Sequence, residues 1–206
     1  QRLRLWADEL RAIANEGLRW ERDNPYSVRR SQRVLRIAAE VFAAQDTRDA
    51  DQIEQLYRGD LGHVAPYPCG DAAVFNQRGE ILLIQRKDDQ LWAMPGGAFE
   101  VGETPAAGVC REAWEETGLA VEPLALVGVY DSRFCGTRSN GHLYQFMFLC
   151  RPRDPDAQPV LSNETLDVGW YAEADVPPLS PGHARRIADA FRCWRGEARG
   201  AVFDGV

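Results

Sequence analysis

The sequence predicts an α/β domain preceded by a small all-helical domain, and three observations support this fold class. The first third of the 206 residues repeats apolar side chains at steps of three and four, which is the spacing of amphipathic helices. A segment rich in Gly and Pro, residues 62–68, interrupts that pattern. Beyond it, short apolar runs typical of strands alternate with helical stretches. We therefore expect a helical domain over residues 1–66 and an α/β domain over residues 67–206.

Three helices are predicted in the first domain, over residues 6–18, 34–42 and 49–57, the last ending near Gly59. In the first two, apolar residues share one face and polar residues separate them. Asn24 and Pro25 lie between these helices. They are a good N-cap residue and a good first residue for a helix, so they mark the start of the second one.

The elements of the second domain follow from turn and cap residues. Strands are predicted at 72–75 and 80–85, around a turn at 76–79, and later at 121–131, 142–150 and 168–171. A helix begins after Thr104 and Pro105 and ends at Gly118, a residue type that tolerates a left-handed C-cap. Residues 181–194 form a closing helix.

Composition narrows the class of protein. Apolar residues make up 45% and charged residues 27%, as in ordinary globular domains. No apolar run approaches the roughly 20 residues that span a bilayer, and the first residues do not resemble a secretory signal, so we expect no membrane partner. The net charge of -7 arises entirely from residues 67–206 and disfavours nucleic-acid binding. Five cysteines without a C-x-x-C pair indicate reduced thiols and a cytoplasmic location.

Three acidic residues of the predicted helix at 105–117 stand at positions i, i+3 and i+4. They are Glu112, Glu115 and Glu116, and a helix places all three carboxylates on one face. Like charges at this spacing repel, so the arrangement is either a solvated face or a site for a bound cation. Hard oxygen ligands of this kind suit Mg²⁺ or Mn²⁺.

The residues around these carboxylates favour the cation site over the solvated face. They fit the pattern G-x5-E-x7-R-E-U-x-E-E-x-G-U, where U is a bulky aliphatic residue. The matching positions are Gly97, Glu103, Arg111, Glu112, Glu115, Glu116, Gly118 and Leu119. This stretch resembles the Nudix box, with one departure, since Ala113 is smaller than the usual aliphatic residue.

The resemblance implies a Nudix α/β/α sandwich with a mixed sheet for the second domain. It also implies that Glu112, Glu115 and Glu116 hold Mg²⁺ or Mn²⁺ ions, which bridge the diphosphate of a small nucleoside diphosphate derivative. Glu103 and Arg111 would orient these ligands, and Gly97 would let the backbone approach the metal closely. The expected reaction is hydrolysis of a nucleoside diphosphate linked to a group X, giving a nucleoside monophosphate and phosphorylated X.

The catalytic base and the substrate contacts remain open. Glu164, in the loop before the last core strand, is the first candidate for the base, with Asp167 and Glu112 as alternatives. Arg86 and Arg133 flank the box in sequence, and arginine suits bidentate contact with phosphate. We expect them to bind substrate.

The first domain carries a second resemblance. Residues 6–18, followed by Asn24, Pro25 and Tyr26, are similar to a helical domain that precedes some bacterial ADP-ribose and CDP-choline pyrophosphatases. It implies a homodimer or a module that covers the substrate. Two other functions stay open: a Nudix-fold regulator that binds a nucleotide without turnover, and a pyrophosphohydrolase of nucleoside triphosphates or RNA 5′ ends.

Overall fold

The computed structural model describes residues 2–137, 141–198 and 200–205. The chain divides into two compact units. The first comprises the residues up to Pro66 together with Gly141 and His142, and the second comprises the chain from Tyr67 onward apart from those two residues.

The first unit contains three helices: α1 (Arg2–Trp20), α2 (Pro25–Ala43) and α3 (Ala50–Gly59). The Asn24 side chain accepts hydrogen bonds from the backbone of Tyr26 and Ser27, so α2 begins at the predicted cap. Asp49 and Gln52 form a reciprocal capping box at the start of α3. All three predicted helices are confirmed. Both α1 and α2 begin before their apolar pattern does, and α2 begins at its cap residue Asn24.

Small side chains dominate the core of this unit. Ala14 of α1 and Ala38 and Ala39 of α2 are fully buried, so the two helices approach each other closely. Leu35 of α2, together with Ile53 and Tyr57 of α3, completes the same cluster.

Within its described residues, the second unit contains eight strands and two α-helices. In chain order they are β1 (Tyr67–Val74), β2 (Ile81–Arg86), β3 (Trp92–Ala93), β4 (Gly96–Ala98), α4 (Pro105–Thr117), β5 (Val121–Asp131), β6 (Leu143–Pro152), β7 (Thr165–Tyr171), α5 (His183–Trp194) and β8 (Val202–Phe203). A single 3₁₀ turn, Glu173–Asp175, follows β7.

The strands form two sheets. The larger has the order β4-β1-β6-β5-β8 and is mixed, because β1 runs parallel to β6 and β5 parallel to β8 while the other pairs are antiparallel. The smaller is antiparallel, with the order β3-β2-β7. The predicted mixed sheet is confirmed. The turn at 76–79 joins strands of two different sheets, linked by one bridge between Phe75 and Ile81.

Side chains of β1 alternate between two buried clusters. Ala72 and Val74 belong to the cluster that includes α4, and Ala73 and Phe75 belong to the cluster that includes α5. A strand that is buried on both faces needs a layer on each side. The α/β/α sandwich predicted for this part of the chain is therefore confirmed.

The sequence prediction missed the short strands β3, β4 and β8. Elements of two or three residues have no periodicity to detect, and β4 begins with two glycines, which are poor strand formers. Pairing with the backbone of β1 holds β4 in place.

No helix within the described ranges is both long enough and apolar enough to cross a membrane. The five cysteines are free thiols.

Candidate active site

Helix α4 presents the three predicted glutamates. The Thr104 hydroxyl accepts a hydrogen bond from the Ala107 N–H at 3.2 Å, which fixes the start of the helix. Gly118 ends it with a φ of 67°. Val109 and the unusually small Ala113 are fully buried beneath the helix. Because that face packs on the sheet, the carboxylates lie along the remaining side.

Arg111 connects the helix to the loop that precedes it. Its guanidinium donates to both oxygens of Glu103, at 2.7 and 3.1 Å, and to the Ala98 carbonyl at 3.0 Å. It also donates to Glu112 at 2.9 Å and to Glu115 at 3.0 Å. The bonds to Arg111 hold the pKa of Glu103 below its usual range. The structure thus brings the predicted orienting pair, Glu103 and Arg111, into contact with two of the three glutamates.

Glu116 reaches the first residue of β4. Its Oε2 accepts a hydrogen bond from the Gly96 N–H at 2.8 Å. Burial raises the pKa of Glu116 to about 7, and the charges of Glu112 and Glu164 add to this effect. The Gly96 N–H and the charge of Arg86 lower the pKa, but they do not compensate. Glu116 is therefore a carboxylate in need of a further positive charge.

Glu112 lies directly against β4. A Cβ on Gly97 would stand 2.7 Å from Glu112 Oε1, so only glycine leaves room for this carboxylate. Burial raises the pKa of Glu112, and the charges of Glu115 and Glu164 contribute in the same direction while Arg111 opposes them. The predicted close backbone approach at Gly97 is thus made to a carboxylate side chain.

The structure distinguishes the two loop candidates for the base. Glu164 is exposed, and its charge contributes to the raised pKa of both Glu112 and Glu116, so it lies within electrostatic reach of both carboxylates. Its own N–H donates to the Ser162 hydroxyl at 3.1 Å. Asp167 lies within β7, where its carboxylate accepts from the Val168 N–H at 2.8 Å.

Arg86 stands at the end of β2, and its guanidinium bonds both oxygens of Asp88, at 2.6 and 2.9 Å. Its charge also lowers the pKa of Glu116. The predicted substrate contact Arg86 therefore lies within electrostatic reach of the carboxylates.

Arg133, the second predicted substrate contact, follows the end of β5. Its guanidinium bonds Asp131, with the shortest distance 2.7 Å, and lies over the Phe134 ring at 5.2 Å from the centroid. These contacts tie Arg133 to its own loop.

Comparison with known proteins identifies the family. The profile described as the NUDIX domain matches residues 70–191. This chain belongs to the Nudix family. A second profile, described as the UDP-X-like, N-terminal oligomerisation domain, matches residues 1–57, the part that forms α1 to α3. The resemblance inferred from the Nudix box is confirmed, and the chain is a Nudix hydrolase.

Relatives cover both parts of this Nudix hydrolase. A putative ADP-ribose pyrophosphatase of Bacillus subtilis is 34% identical over 85% of this chain and 83% of its own length. The crystal structure of a Streptococcus suis ADP-ribose pyrophosphatase shares 30% identity and a TM-score of 0.59, and covers 68% of this chain and all of that one. A UDP-X diphosphatase structure matches 97% of this chain and 96% of its own, with a TM-score of 0.62 at 23% identity. It shows the shared fold of both parts.

The Nudix carboxylates fit a hard divalent cation by their chemistry. All three offer oxygen ligands, and burial together with neighbouring acidic charges raises the pKa of Glu112 and of Glu116, which a bound cation would counteract. Within the described ranges no three acidic, His or Cys side chains are already gathered into a metal cage. Glu112 and Glu115 instead share the Nη1 donor of Arg111.

Three residues near this site were not predicted: Asp71, His183 and Arg186. His183 and Arg186 lie one turn apart on α5, and Arg186 is 1% exposed and paired with Asp71 of β1. His183 and Arg186 could have been found from the sequence, because both lie on the apolar stripe of α5 formed with Ile187 and Ala190. A charged residue on a buried stripe requires a partner.

Proposed function

We propose that this Nudix hydrolase cleaves the pyrophosphate bond of a nucleoside diphosphate linked to a group X, using Mg²⁺ or Mn²⁺. Water and the substrate would give a nucleoside monophosphate and phosphorylated X. The observation that carries the proposal is the pair Glu112 and Glu116, two partly buried carboxylates with raised pKa values at the edge of β4. Acids of this kind mark sites where a cation or a proton is handled.

In the proposed mechanism, Glu112, Glu115 and Glu116 hold the divalent ions, which would polarise the phosphoryl oxygens and acidify the attacking water. Arg111 keeps the glutamates aligned with the loop through its bonds to Glu103 and Ala98. Arg86 would neutralise charge on the diphosphate.

Glu164 is the residue that we assign as general base. Glu164 is exposed, so its carboxylate can accept a proton from water, and its charge acts on Glu112 and Glu116. A base must lie near the water that it activates, and this water would lie beside the metal ligands. Asp167 is the weaker candidate, because its carboxylate already accepts a hydrogen bond from the Val168 N–H of the same strand.

The relatives support the proposed substrate class. ADP-ribose is named for the Bacillus subtilis and Streptococcus suis proteins, and UDP-X for the structure that spans nearly the whole chain. CDP-choline has the same diphosphate core and stays in the proposed class. These compounds share a diphosphate between a nucleoside and a second organic group, which is the part that the carboxylate site addresses.

A substrate panel tests this proposal. Purified protein is incubated with ADP-ribose, a UDP-sugar or CDP-choline, each with Mg²⁺ or Mn²⁺, and the products are identified by chromatography and mass spectrometry. We expect a nucleoside monophosphate and phosphorylated X from at least one compound. Parallel reactions with a nucleoside triphosphate and a 5′-triphosphate RNA distinguish the alternative enzymes, because turnover of these alone would refute the substrate class.

Labelling and one variant sharpen the test. In H₂¹⁸O the label enters the phosphate that water attacks, which shows which phosphorus reacts. The variant Glu116→Gln is expected to lose turnover with every compound. A parent protein that binds the nucleotides without cleaving any of them would favour a regulator.

We also propose that the protein is a homodimer formed through α1. Trp6, Ile13 and Trp20 follow one another at seven-residue intervals and so lie on one stripe of the helix. Their exposed fractions are 46%, 61% and 77%. Exposed apolar stripes of this kind mark association surfaces, and the matching profile of residues 1–57 is described as an oligomerisation domain.

Light scattering coupled to size exclusion tests the dimer. The parent is expected to run at twice its 23.1 kDa mass, and the double variant Trp6→Glu with Ile13→Glu at the monomer mass. Leu124→Glu, at an exposed apolar residue of β5, serves as the control and should leave the mass unchanged. A monomeric parent would contradict this proposal.

A further inference from the structure

A buried ion pair links α5 to β1, the strand that pairs with the first residue of β4. Arg186 is 1% exposed, and its Nη1 pairs with Asp71 of β1. Its Nε donates to the Gly182 carbonyl at 3.0 Å. Burial of two charges carries a large desolvation cost and often stabilises a protein less than apolar packing would. The pair therefore calls for a role besides stability.

Asp71 lies opposite Gly96, its register partner in the antiparallel pairing of β1 with β4. The two strands are unusually close there, because a Cβ on Gly96 would stand 2.2 Å from the Gly70 carbonyl oxygen and 3.1 Å from Asp71 Oδ1. The Ala72 N–H also donates to the Pro95 carbonyl at 2.8 Å. The position of the Gly96 backbone therefore depends on the position of Asp71.

Gly96 is the residue whose N–H binds the Glu116 carboxylate at 2.8 Å. A continuous series of contacts therefore runs from Arg186 through Asp71 and Gly96 to Glu116. We infer that Arg186 and Asp71 are positioning residues for the metal-binding carboxylate Glu116, acting through the Gly96 N–H. This inference rests on the proposed function, because it assigns Glu116 to metal binding.

The segment before Arg186 supports the same arrangement. His183, one turn earlier on α5, is buried and accepts a hydrogen bond from the Met94 N–H at 3.4 Å. The Ser180 N–H donates to the Trp92 carbonyl at 2.8 Å. The start of α5 thus contacts the chain just before β4 at several points, and the ion pair is the contact nearest to Gly96.

The test uses the double variant Asp71→Asn with Arg186→Gln, which removes both charges and leaves no unpaired buried charge. Mn²⁺ alone is titrated into the full-length protein and followed by electron paramagnetic resonance. We expect the Kd for Mn²⁺ to rise about tenfold, as is typical when a residue that orients a metal ligand is lost. The matched control is Arg185→Gln, because Arg185 is the neighbouring, partly exposed arginine that pairs with Asp204. It should leave the Kd unchanged.

Amide hydrogen exchange supplies a readout that does not depend on metal. In the double variant the Gly96 amide is expected to exchange at least about tenfold faster, while the Gly118 amide at the end of α4 keeps its parental rate. Parental values for both the Kd and Gly96 exchange in the folded double variant would overturn the inference. If the parent binds no Mn²⁺, the proposed metal site fails, and the Gly96 rate alone then decides whether the ion pair positions this strand.

If the double variant does not fold, the variant Arg186→Lys is used instead. Lysine keeps the charge, but a single ammonium cannot reproduce the fixed fork that bonds both Asp71 and the Gly182 carbonyl. We expect at least a threefold rise in the Kd for Mn²⁺ and faster exchange at Gly96. An unchanged Kd and an unchanged rate in this folded variant would likewise overturn the inference.

Discussion

Glu116 accepts a 2.8 Å hydrogen bond from the Gly96 N–H, and its pKa is nevertheless raised to about 7. Burial is the largest cause, and the negative charges of Glu112 and Glu164 reinforce it. One backbone N–H does not compensate a carboxylate that is withdrawn from water among other acids. In the metal-free protein, the ionised Glu116 carboxylate therefore lowers the free energy of unfolding. A bound divalent cation would reverse this loss.

We expect Glu116→Gln to stabilise the metal-free protein while abolishing its activity. The folded pKa of about 7 lies above the ordinary glutamate value of 4.5, so the stability linked to this proton is present below about pH 4.5 and is lost as the pH rises through 7. Glutamine does not titrate. At pH 8 the variant should exceed the parent by about 2 kcal/mol in free energy of unfolding.

Urea unfolding in EDTA at pH 5 and pH 8 measures this difference. Glu115→Gln is the matched control, because the Glu115 side chain is 49% exposed, and it should bring no such gain. Turnover by Glu116→Gln should fall more than about a hundredfold, since residues that merely orient metal ligands are worth ten- to a hundredfold. A variant that is less stable than the parent at pH 8 would contradict the account of Glu116.

Metal affinity should depend on pH through the same carboxyl group. A divalent ion binds the ionised form, so protons compete with it below the pKa of about 7. The Kd for Mn²⁺ is expected to rise about tenfold per pH unit below 7 and to level off above pH 8. Titrations between pH 5.5 and 8.5 measure this, with Glu116→Gln as the control that should show a flatter dependence. A parental Kd independent of pH would contradict the prediction.

Local signals predicted α4 from the sequence. Thr104, Pro105 and Gly118 mark its ends, and the structure uses all three as cap residues. Arg111 and Glu115 stand four residues apart, which is the spacing of neighbours on a helix surface, and their contact is present at 3.0 Å. These features depend on residues within one or two turns of each other, which is why pattern and propensity were enough.

Contacts between distant residues could not be predicted in this way. Asp71 and Arg186 are 115 residues apart, and their pairing depends on how α5 packs against the sheet. The strand β4 exists because β1 lies beside it rather than because of its own residues. The sequence already ranked Glu164 above Asp167, but the influence of the Glu164 charge on Glu112 and Glu116 depends on the position of its loop relative to α4.

Glu164→Gln should slow turnover without weakening metal binding. If Glu164 removes the proton from water, kcat should fall by about 10²- to 10⁴-fold, while the Kd for Mn²⁺ changes little, because this exposed residue is not one of the proposed ligands. Asp167→Asn, the control from the same region, should retain kcat within about threefold of the parent. Steady-state kinetics on the best substrate of the panel decides this, and the reverse ranking of the two variants would transfer the role to Asp167.

His183 should remain neutral to an unusually low pH. It is buried at the start of α5, and burial lowers its pKa to about 4, with the charge of Arg86 acting in the same direction and Asp89 opposing. The folded pKa therefore lies below the ordinary histidine value of 6.5. Above pH 6.5, His183 therefore has no effect on the pH dependence of the free energy of unfolding. As the pH falls from 6.5 to 4, the unfolded chain binds a proton at this residue that the native state does not bind.

The linked loss of stability amounts to about 3 kcal/mol at pH 4, and His183→Gln should remove it. Because the titration of Glu116 acts in the opposite direction over much of this range, the informative quantity is the difference between parent and variant at each pH. An NMR titration of the imidazole signals isolates the group directly, with His63→Gln used to assign one of the other two. A midpoint for His183 near 6.5 would show that this side chain is hydrated in solution and that the start of α5 is not packed as the structure describes.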